Sequence, residues 1–257
     1  MTQSVQPPRA ATPIGDPVGL TTLGEVAGTI EFSPVDGPGN RFVVFLQGCN
    51  LNCLFCHNPQ TIPRRGGRTT SVGDLLAKIR LAAPFLSGVT VSGGEATQQP
   101  EFLRGLLVAL TEDPATQHLT RFIDTNGDAD PEVWDYLEPV YDAAMVDLKA
   151  IDNDLHRRLT GHGNERILRS IRLLAQRDRL YEVRLILAAG TNDSDDLLRS
   201  TGEWLATIDT SMRIRVNTYR DHGVRRAARG FVSPTDEDRA RYTERLSAIA
   251  DFDIQIV

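Results

Sequence analysis

The chain has 257 residues, of which 40% are hydrophobic and 24% are charged, and these proportions are ordinary for a globular protein. Its formal net charge of −6 argues against a nucleic-acid-binding surface, which usually carries a basic excess. No apolar run approaches the ~20 residues that a membrane-spanning helix requires, and the N-terminus lacks the apolar core of a signal peptide. With three thiols that cannot all pair, these features predict a cytoplasmic protein that binds neither membranes nor nucleic acids.

The first 22 residues are rich in Pro, Thr and Gly and show no hydrophobic periodicity. Such a composition is typical of a flexible segment rather than of a packed domain. We therefore predict a flexible leader over residues 1–22 and a single folded domain over residues 23–257.

Beyond the leader, short apolar strands alternate with amphipathic helices, which predicts a parallel sheet built from βα units. The predicted strands cover residues 41–46, 88–92, 120–124, 143–149, 181–187 and 212–217, and a short last strand covers residues 252–257. The predicted helices cover residues 71–83, 99–112, 131–140, 165–178, 194–208 and 234–250.

Six βα units are too few for a closed eight-stranded barrel. They suit an α/β fold with a partial (βα)6 TIM-like barrel that is open on one side, and an open doubly wound sheet is the alternative. In either architecture, ligands bind at the carboxyl ends of the parallel strands. Residues able to do chemistry should therefore follow each strand.

All three cysteines of the chain lie in the loop after the first of these strands, as Cys49, Cys53 and Cys56, with His57 directly behind them. An odd number of closely spaced thiols cannot form a closed set of disulfides, and the spacing suggests a metal or cluster site. Structural zinc sites more often use two separated cysteine pairs that hold two segments together. Three thiolates in one loop favour a [4Fe–4S] cluster with one open iron, while zinc and unligated thiols stay as alternatives.

Polar or glycine-rich segments also follow the next three strands. Gly93 and Gly94 can form a tight turn, or they can let the backbone approach a ligand closely because they lack Cβ atoms. Asp124 can cap the turn after its strand, and Asp147 can pair with Lys149 on the same strand face. Together, at the ligand-binding end of a barrel, the two carboxylates favour a cation or polar-ligand site.

Arg184 interrupts an otherwise apolar strand. Because buried strands seldom carry an unpaired arginine, it should either pair with Glu182 on the same face or donate into the barrel lumen to an anionic ligand. The next strand repeats the pattern, with Arg213, Arg215 and Asn217 on one face. A polar lumen of this kind is what a bound small molecule requires.

The Cys-x3-Cys-x2-Cys loop, with a Gly-Gly-Glu segment after the next strand, resembles the radical S-adenosylmethionine (SAM) superfamily. More narrowly, the chain from about residue 24 onward resembles the pyruvate formate-lyase activating enzyme and its relatives, which activate glycyl radical enzymes. The shared segments VDGPG, QGCNLNCLFCHNP, VTVSGGEA, DTNG, MVDLK and TGEW occur in the family's order at comparable spacings. VDGPG before the first strand and CHNP around the third cysteine are more specific to these activating enzymes than the cysteine triad is.

This resemblance implies an oxidoreductase whose chemistry resides in its cofactors rather than in a general acid or base. Cys49, Cys53 and Cys56 would hold three irons of one [4Fe–4S] cluster, and SAM would bind the fourth. A flavodoxin or ferredoxin-like donor would reduce the cluster, and SAM would split into methionine and a 5′-deoxyadenosyl radical. That radical would take a Cα hydrogen from one glycine of a partner glycyl radical enzyme. A monomer would suit docking onto this larger partner.

The resemblance also implies roles for individual residues. The SAM site would include Phe55, Cys56, His57, Gly93, Gly94, Glu95, Asp147, Leu148, Lys149 and Arg184. A monovalent cation, Na⁺ or K⁺, would lie beside SAM on Asp124, Thr125, Met145 and Asp147. Asp36 in the VDGPG loop would lie near the glycine-bearing loop of the partner.

The chain departs from the family pattern after the sixth strand, where Arg220 stands in place of a common histidine. His222, two residues later, either replaces that histidine in the cofactor site or is a surface histidine. Asn40 and the LAAG segment depart as well, which leaves the identity of the partner open. The segment between the cysteine loop and the second strand has no cysteine, so we predict a single cluster and not an activating enzyme of the multi-cluster type.

Two other functions stay as alternatives at this point. A radical SAM enzyme of the same fold can act on a small molecule or a peptide, although the short C-terminus offers no extra substrate domain. A non-catalytic iron–sulfur or zinc protein can use the cysteine loop as a structural or electron-transfer site. The polar residues at the strand ends argue against this last function.

Overall fold

The structure is a computed structural model that describes residues 19–228 and 230–257. Residues 1–18, which make up most of the predicted leader, lie outside the described residues. Residues 19–22 form a turn beside the first helix, where Leu20 O accepts from Gly73 N at 2.8 Å and Thr22 O accepts from Val72 N at 3.0 Å.

A single mixed sheet of nine strands forms the centre of the described chain. Its spatial order is β3-β1-β2-β4-β5-β6-β7-β8-β9. The strands are β1 (Leu23–Ser33), β2 (Arg41–Leu46), β3 (Arg68–Ser71), β4 (Gly88–Gly93), β5 (Thr120–Thr125), β6 (Ala143–Leu148), β7 (Leu180–Leu187), β8 (Arg213–Thr218) and β9 (Asp253–Ile256). From β2 to β9 all neighbours are parallel, whereas β1 is antiparallel to both β2 and β3. The predicted α/β partial barrel is therefore confirmed.

Helices connect the parallel strands, as the alternating sequence pattern predicts. They are α1 (Val72–Ala82), α2 (Pro100–Glu112), α3 (Pro131–Leu137), α4 (Asn153–Thr160), α5 (Glu165–Gln176), α6 (Asp195–Ala206) and α7 (Asp236–Ser247). None of the helices in residues 19–228 and 230–257 has the length and apolar character needed to cross a membrane.

The two faces of the parallel strands differ in chemistry because side chains alternate along a strand. One set of residues is apolar and belongs to the main buried core, as in Val89 and Val91 of β4, and Val183 and Leu185 of β7. Polar side chains such as Arg184 alternate with this set on the opposite face, which lines the barrel lumen. The lumen therefore provides polar side chains for a ligand.

Arg41 closes the amino-terminal end of the barrel. Its fully buried guanidinium donates from Nε to Thr90 Oγ1 at 2.7 Å, from Nη2 to Val89 O at 2.8 Å and from Nη1 to Thr120 Oγ1 at 2.9 Å. It also lies 4.3 Å from the centre of the Phe122 ring. Burial lowers the pKa of Arg41 to about 10, and these acceptors leave its hydrogen-bonding needs met. Arg41 therefore fills the amino-terminal end of the lumen beside β4 and β5.

The sequence pattern did not predict β1, β3 or α4. β1 contains Gly24 and Gly28, and β3 is four polar or small residues long, so neither shows the apolar character of a central strand. α4 contains only two leucines among eight residues, and its ends are set by local chemistry instead. Asp152 Oδ1 accepts from Leu155 N at 2.6 Å at its start, and Gly161 adopts a positive φ of 86° at its end.

Candidate active site

A cavity of about 550 Å³ opens at the carboxyl ends of the parallel strands. This position is where ligands bind in barrels and open α/β sheets. Most of the predicted site residues line it, namely Asp36, Cys49, Cys53, Phe55, Cys56, His57, Gly93, Gly94, Glu95, Asp124, Thr125, Asp147, Lys149 and Arg184.

The cysteine loop is held in place from two sides by backbone hydrogen bonds. Gly48 N donates to Thr61 O at 2.8 Å, and Cys49 N donates to Ile62 O at 3.0 Å. On the other side, Asn52 N and Leu54 N donate to the last two residues of α4, at 2.8 and 2.9 Å. The unpredicted helix α4 therefore positions the loop that carries all three thiols.

The three thiols are free, with Cys53 buried and the other two half-buried at the cavity. Burial raises the pKa of Cys49 to about 12 and also raises that of Cys53. Cys49 Sγ accepts hydrogen bonds from Leu51 N at 3.4 Å and from Asn126 Nδ2 at 3.8 Å. A buried thiolate needs positive charge close by, and bound iron supplies it. Free thiols at a cavity, with N–H donors aimed at one sulfur, fit a cluster.

The zinc alternative fits this arrangement less well. In residues 19–228 and 230–257, no group of three or more His, Cys, Asp or Glu side chains is arranged to hold a metal ion. A Cys3His zinc site would need Cys49, Cys53, Cys56 and His57 around one ion. A [4Fe–4S] cluster does not require that convergence, because each thiolate binds a different iron. The described residues thus do not show a formed four-ligand zinc site.

The turn after β4 packs directly against the cysteine loop. A Cβ atom on Gly94 would lie 2.3 Å from Gly48 O, and one on Gly93 would lie 2.3 Å from Leu46 N. Gly93 also adopts a φ of 135°, which favours glycine. Both glycines are thus required by the protein's own backbone, and the same lack of side chains leaves their backbone open to the cavity.

Glu95 joins this turn to the end of β5. Its Oε1 accepts from Thr125 Oγ1 at 2.7 Å and from Thr97 N at 2.9 Å, while Oε2 accepts from Asn126 N at 2.7 Å. Burial raises the pKa of Glu95, and these hydrogen bonds oppose that rise. The carboxylate therefore fixes the loops on either side of the cavity relative to each other.

Arg184 is the central cation of the lumen. Its Nη1 donates to Asp124 Oδ1 at 2.8 Å and its Nε donates to Glu182 Oε1 at 2.6 Å. The predicted pairing with Glu182 is therefore confirmed, and donation to an anionic ligand stays a prediction. Its Nη2 lies 2.9 Å from Met145 Sδ, and Ser92 Oγ donates to Asp124 Oδ2 at 2.7 Å. Burial raises the pKa of Asp124, and the positive charge of Arg184 opposes this rise.

Asp147 and Lys149 form a second ion pair at the end of β6, with Nζ and Oδ2 2.8 Å apart. Burial on its own would lower the pKa of Lys149, but Asp147 and the thiols of Cys53 and Cys49 raise it above its ordinary value. The ammonium group therefore stays charged beside the cysteine loop. It provides a fixed positive charge for an anionic ligand group or for the thiolates.

Comparison with known proteins decides the family. A family model described as the Radical SAM superfamily matches residues 43–201. The chain is 34% identical over 238 residues to the pyruvate formate-lyase-activating enzyme of Streptococcus mutans, covering 87% of this chain and 90% of that protein. It is 33% identical over 211 residues to the pyruvate formate-lyase 1-activating enzyme of Escherichia coli, covering 79% of this chain and 84% of that one. The chain belongs to the pyruvate formate-lyase-activating family of radical SAM enzymes.

A solved structure from the same family supports this assignment. The crystal structure of a domain of pyruvate-formate lyase-activating enzyme from Bacteroides vulgatus matches with a TM-score of 0.53 and 26% identity. It covers 66% of this chain and 99% of that domain. Membership of the radical SAM superfamily implies a [4Fe–4S] cluster and SAM, and the cavity with its three free thiols fits them.

Three of the predicted site residues do not line the cavity. Leu148 packs in the core behind β6, and Met145 is buried against Arg184. His222 is exposed, whereas Arg220 lines the cavity. Contact of any of these three with a cofactor of this radical SAM enzyme stays a prediction.

Sequence reasoning also missed residues that shape this radical SAM site. Asn126 Nδ2 donates to Asn50 Oδ1 at 2.8 Å as well as approaching Cys49, and Asn50 Nδ2 donates to Asp128 O at 2.9 Å. These amides connect the cysteine loop to the end of β5. Asn126 belongs to the DTNG segment after β5, and its position at a strand end was the feature of the sequence that could have predicted its place in the site.

Asp36 lies in the β1–β2 loop, which crosses to the far side of the barrel. Thr90 Oγ1 donates to Asp36 O at 2.7 Å, and Ser33 Oγ donates to Asp36 Oδ2 at 2.5 Å. Arg215 Nη1, on β8, donates to Val35 O at 2.7 Å. The loop therefore connects the two sides of the partial barrel and places Asp36 at the edge of the cavity.

Proposed function

We propose that this chain is an activating enzyme that creates a glycyl radical in a partner enzyme of the pyruvate formate-lyase type. One observation carries the proposal: three free thiols converge on a cavity at the carboxyl ends of the strands. The chain also matches, over 87% of its length, a Streptococcus mutans protein named for that activity.

The cofactors supply the chemistry, and the protein holds and shields them. When bound together, a reduced [4Fe–4S] cluster and SAM provide a 5′-deoxyadenosyl radical that can take a hydrogen from a glycine Cα. Cys49, Cys53 and Cys56 would hold three irons. The fourth iron would be left for SAM, because the chain contains no other cysteine.

The remaining cavity residues would bind and orient SAM. Gly93 and Gly94, which line the cavity without side chains, would accept from its amino group through their backbone, and Lys149 and Arg184 would provide positive charge for its carboxylate. Phe55 and His57 would lie near its adenine. Phe55 is buried and packs edge-on against Phe231 at 5.7 Å, which makes it a rigid apolar wall for a planar base.

We propose further that a monovalent cation, Na⁺ or K⁺, lies beside SAM on Asp124, Thr125, Met145 and Asp147. The two carboxylates are paired with Arg184 and Lys149, so the cation would share them rather than replace those partners. Replacing K⁺ and Na⁺ by choline should slow SAM cleavage and weaken SAM binding. Equal rates in choline and in K⁺ would contradict a cation site.

The partners follow from the same proposal. Asp36, at the edge of the cavity, would meet the glycine-bearing loop of the glycyl radical enzyme. A flavodoxin or ferredoxin-like protein would donate the electron, and the enzyme would work as a monomer in the reducing cytoplasm. Size-exclusion chromatography with light scattering tests the oligomeric state directly.

The decisive experiment uses anaerobically reconstituted protein. The reduced enzyme should cleave SAM, and with the cognate partner it should produce a glycyl radical signal in electron paramagnetic resonance. Cys53→Ser should lose iron, sulfide and SAM cleavage, whereas Asn52→Ser, the matched change at an exposed neighbour in the loop, should keep them. Reductive SAM cleavage without any glycyl radical would favour a small-molecule or peptide substrate. Intact SAM in the presence of the reduced cluster would contradict the proposal.

A further inference from the structure

A basic segment follows the cysteine loop, although the chain as a whole carries a net charge of −6. Its cations are Arg64, Arg65 and Arg68, which we call the basic edge, and all three are exposed. No Asp or Glu occurs between His57 and Gly73 in the sequence. Asp74 follows directly and the charge of Arg68 acts on it, so the charges without an acidic neighbour along the chain are those of Arg64 and Arg65.

The basic edge is anchored to the cysteine loop. Gln47 Nε2 donates to Pro63 O at 2.6 Å and to Gln60 O at 2.9 Å, which fixes the turn just before Arg64. A Cβ on Gly48 would lie 3.5 Å from Arg64 Cα, so the two backbones run side by side next to Cys49. The position of the basic edge relative to the thiols is thus set by the fold.

In the part of the chain that the structure describes, no ion pair within 4.0 Å joins these three guanidinium groups to a carboxylate, although the charge of Arg68 acts on Asp74 from a longer distance. Many other arginines of this protein do pair, for example Arg177 with Asp135 and Arg241 with Asp193. Unpaired surface cations raise the local potential and increase the association rate of a partner of opposite charge.

The basic edge does not line the cavity, whereas Ile62 just before it does. A glycine that loses hydrogen must reach into the cavity, so its enzyme needs the cavity mouth. An electron donor needs only to come close to the cluster, and none of its atoms has to enter. A surface outside the cavity and beside Cys49 suits the donor better than the glycyl radical enzyme.

We propose that the basic edge is the docking surface for an acidic one-electron donor protein, a flavoprotein or an iron–sulfur protein. This inference rests on the proposed function, because it assumes a cluster on the cysteine loop. The step transfers one electron: the donor is oxidised by one electron and the cluster is reduced by one. No bond is formed or broken and no proton moves.

The test measures cluster reduction by stopped-flow absorbance in fully reconstituted enzyme. Reduced flavodoxin, an acidic protein, is one reductant, and photoreduced deazariboflavin, a small molecule, is the other. R64E/R65E should slow reduction by flavodoxin about tenfold or more at low salt. It should leave reduction by deazariboflavin unchanged. R64K/R65K should keep the wild-type rate, and R169E/R199E, with the same charge change on exposed arginines of α5 and α6, should have little effect.

The dependence of the rate on salt concentration gives a second readout, because dissolved ions screen the attraction between exposed charges. The wild-type rate with flavodoxin should fall as salt rises, and that fall should be much smaller in R64E/R65E. An equal loss with both reductants would mean that the basic edge tunes the cluster itself, and it would overturn the proposal. An unchanged rate of reduction by flavodoxin in R64E/R65E would also overturn the proposal. The proposal would fail as well if R64E/R65E, reduced chemically, lost only the formation of the glycyl radical. Failure of the proposed function would instead show in the wild-type enzyme, as a missing cluster or uncleaved SAM.

Discussion

Arg184 on β7 donates to Asp124 on β5 at 2.8 Å, although the two strands are not neighbours. β6 lies between them, and its Met145 is paired in register with Asp124 on one side and with Glu182 on the other. The guanidinium thus crosses over Met145 to reach Asp124. One buried cation joins three strands at the floor of the cavity.

Removing this cation should strongly destabilise the protein. Arg184→Met keeps much of the side-chain volume but leaves Asp124 and Glu182 buried without their cation. Breaking a buried ion pair from one side typically costs about 3–5 kcal/mol. We expect a loss of that size in the free energy of unfolding of the cofactor-free protein, measured by urea denaturation followed by circular dichroism.

The matched variant is Glu182→Gln/Arg184→Met, which removes one of the two buried carboxylates that Arg184→Met leaves without a cation. It should be more stable than Arg184→Met alone. If both variants unfold at the same urea concentration as the wild type, Arg184 is not holding these carboxylates, and the pairing argument fails.

Gly94→Ala should disrupt the cysteine loop. Its Cβ would lie 2.3 Å from Gly48 O and 2.6 Å from Thr61 O, and backbone atoms cannot move aside as a flexible side chain can. We expect poor incorporation of iron and sulfide, measured by elemental analysis after reconstitution. Gly28→Ala is the control, because a Cβ there meets nothing within 4 Å. Full iron content in Gly94→Ala would show that the loop tolerates displacement.

Much of this arrangement was predictable from the sequence, because it depends on local patterns. Strands such as β4 and β7 alternate polar and apolar residues, and the carboxyl ends of parallel strands meet at one edge of a sheet. The convergence of the thiols with Gly93 and Asp147 follows from those two facts. α4 has too few apolar residues for its period to be recognised, and its role in holding the cysteine loop depends on tertiary contacts.

Other features depend on strand order and register, which the sequence does not show. Asp124 and Arg184 are far apart along the chain, and their pairing requires that β5, β6 and β7 be adjacent. Asn126 was visible within a polar turn, but nothing in the sequence indicated that its amide reaches Cys49. Such contacts arise only when two loops from different strands are fixed at a set distance.

The start of α7 should give the protein a measurable dependence on acid. Asp238 accepts from Thr235 N at 2.9 Å in a capping box, and these hydrogen bonds lower its pKa below its ordinary value of 3.8. A carboxyl group with a lowered folded-state pKa stabilises the fold above its unfolded-state pKa, and this contribution is lost as pH falls through the folded-state pKa. Asp238→Asn should cost about 1 kcal/mol at neutral pH, because a neutral amide replaces the charged acceptor of the capping box.

The difference between wild type and Asp238→Asn should begin to shrink as pH falls below 3.8, when the carboxyl of the unfolded wild-type chain becomes protonated. Thermal unfolding of the cofactor-free protein from pH 7 downward measures it. Asp236→Asn, the same charge change at the first residue of α7, lies outside the capping box and should have a smaller effect. A difference that stays constant down to acid unfolding would show that protonation of Asp238 does not contribute.

Asn126 should tune the reduction potential of the cluster. Its Nδ2 is 3.8 Å from Cys49 Sγ, and a hydrogen bond to a ligating sulfur stabilises the reduced, more negative cluster. Asn126→Leu removes the donor with little change in side-chain size. The reduction potential of the cluster should therefore become more negative by tens of millivolts. For a one-electron couple, a shift of about 59 mV changes the reduced-to-oxidised ratio tenfold. A redox titration followed by electron paramagnetic resonance measures this shift.

Asn58→Leu is the control, because it makes the same change elsewhere on the cavity wall. It should leave the reduction potential unchanged, since no hydrogen bond joins the Asn58 side chain to a cysteine within the described residues. Equal potentials in wild type and Asn126→Leu would mean that the amide serves only to hold Asn50 and the loop.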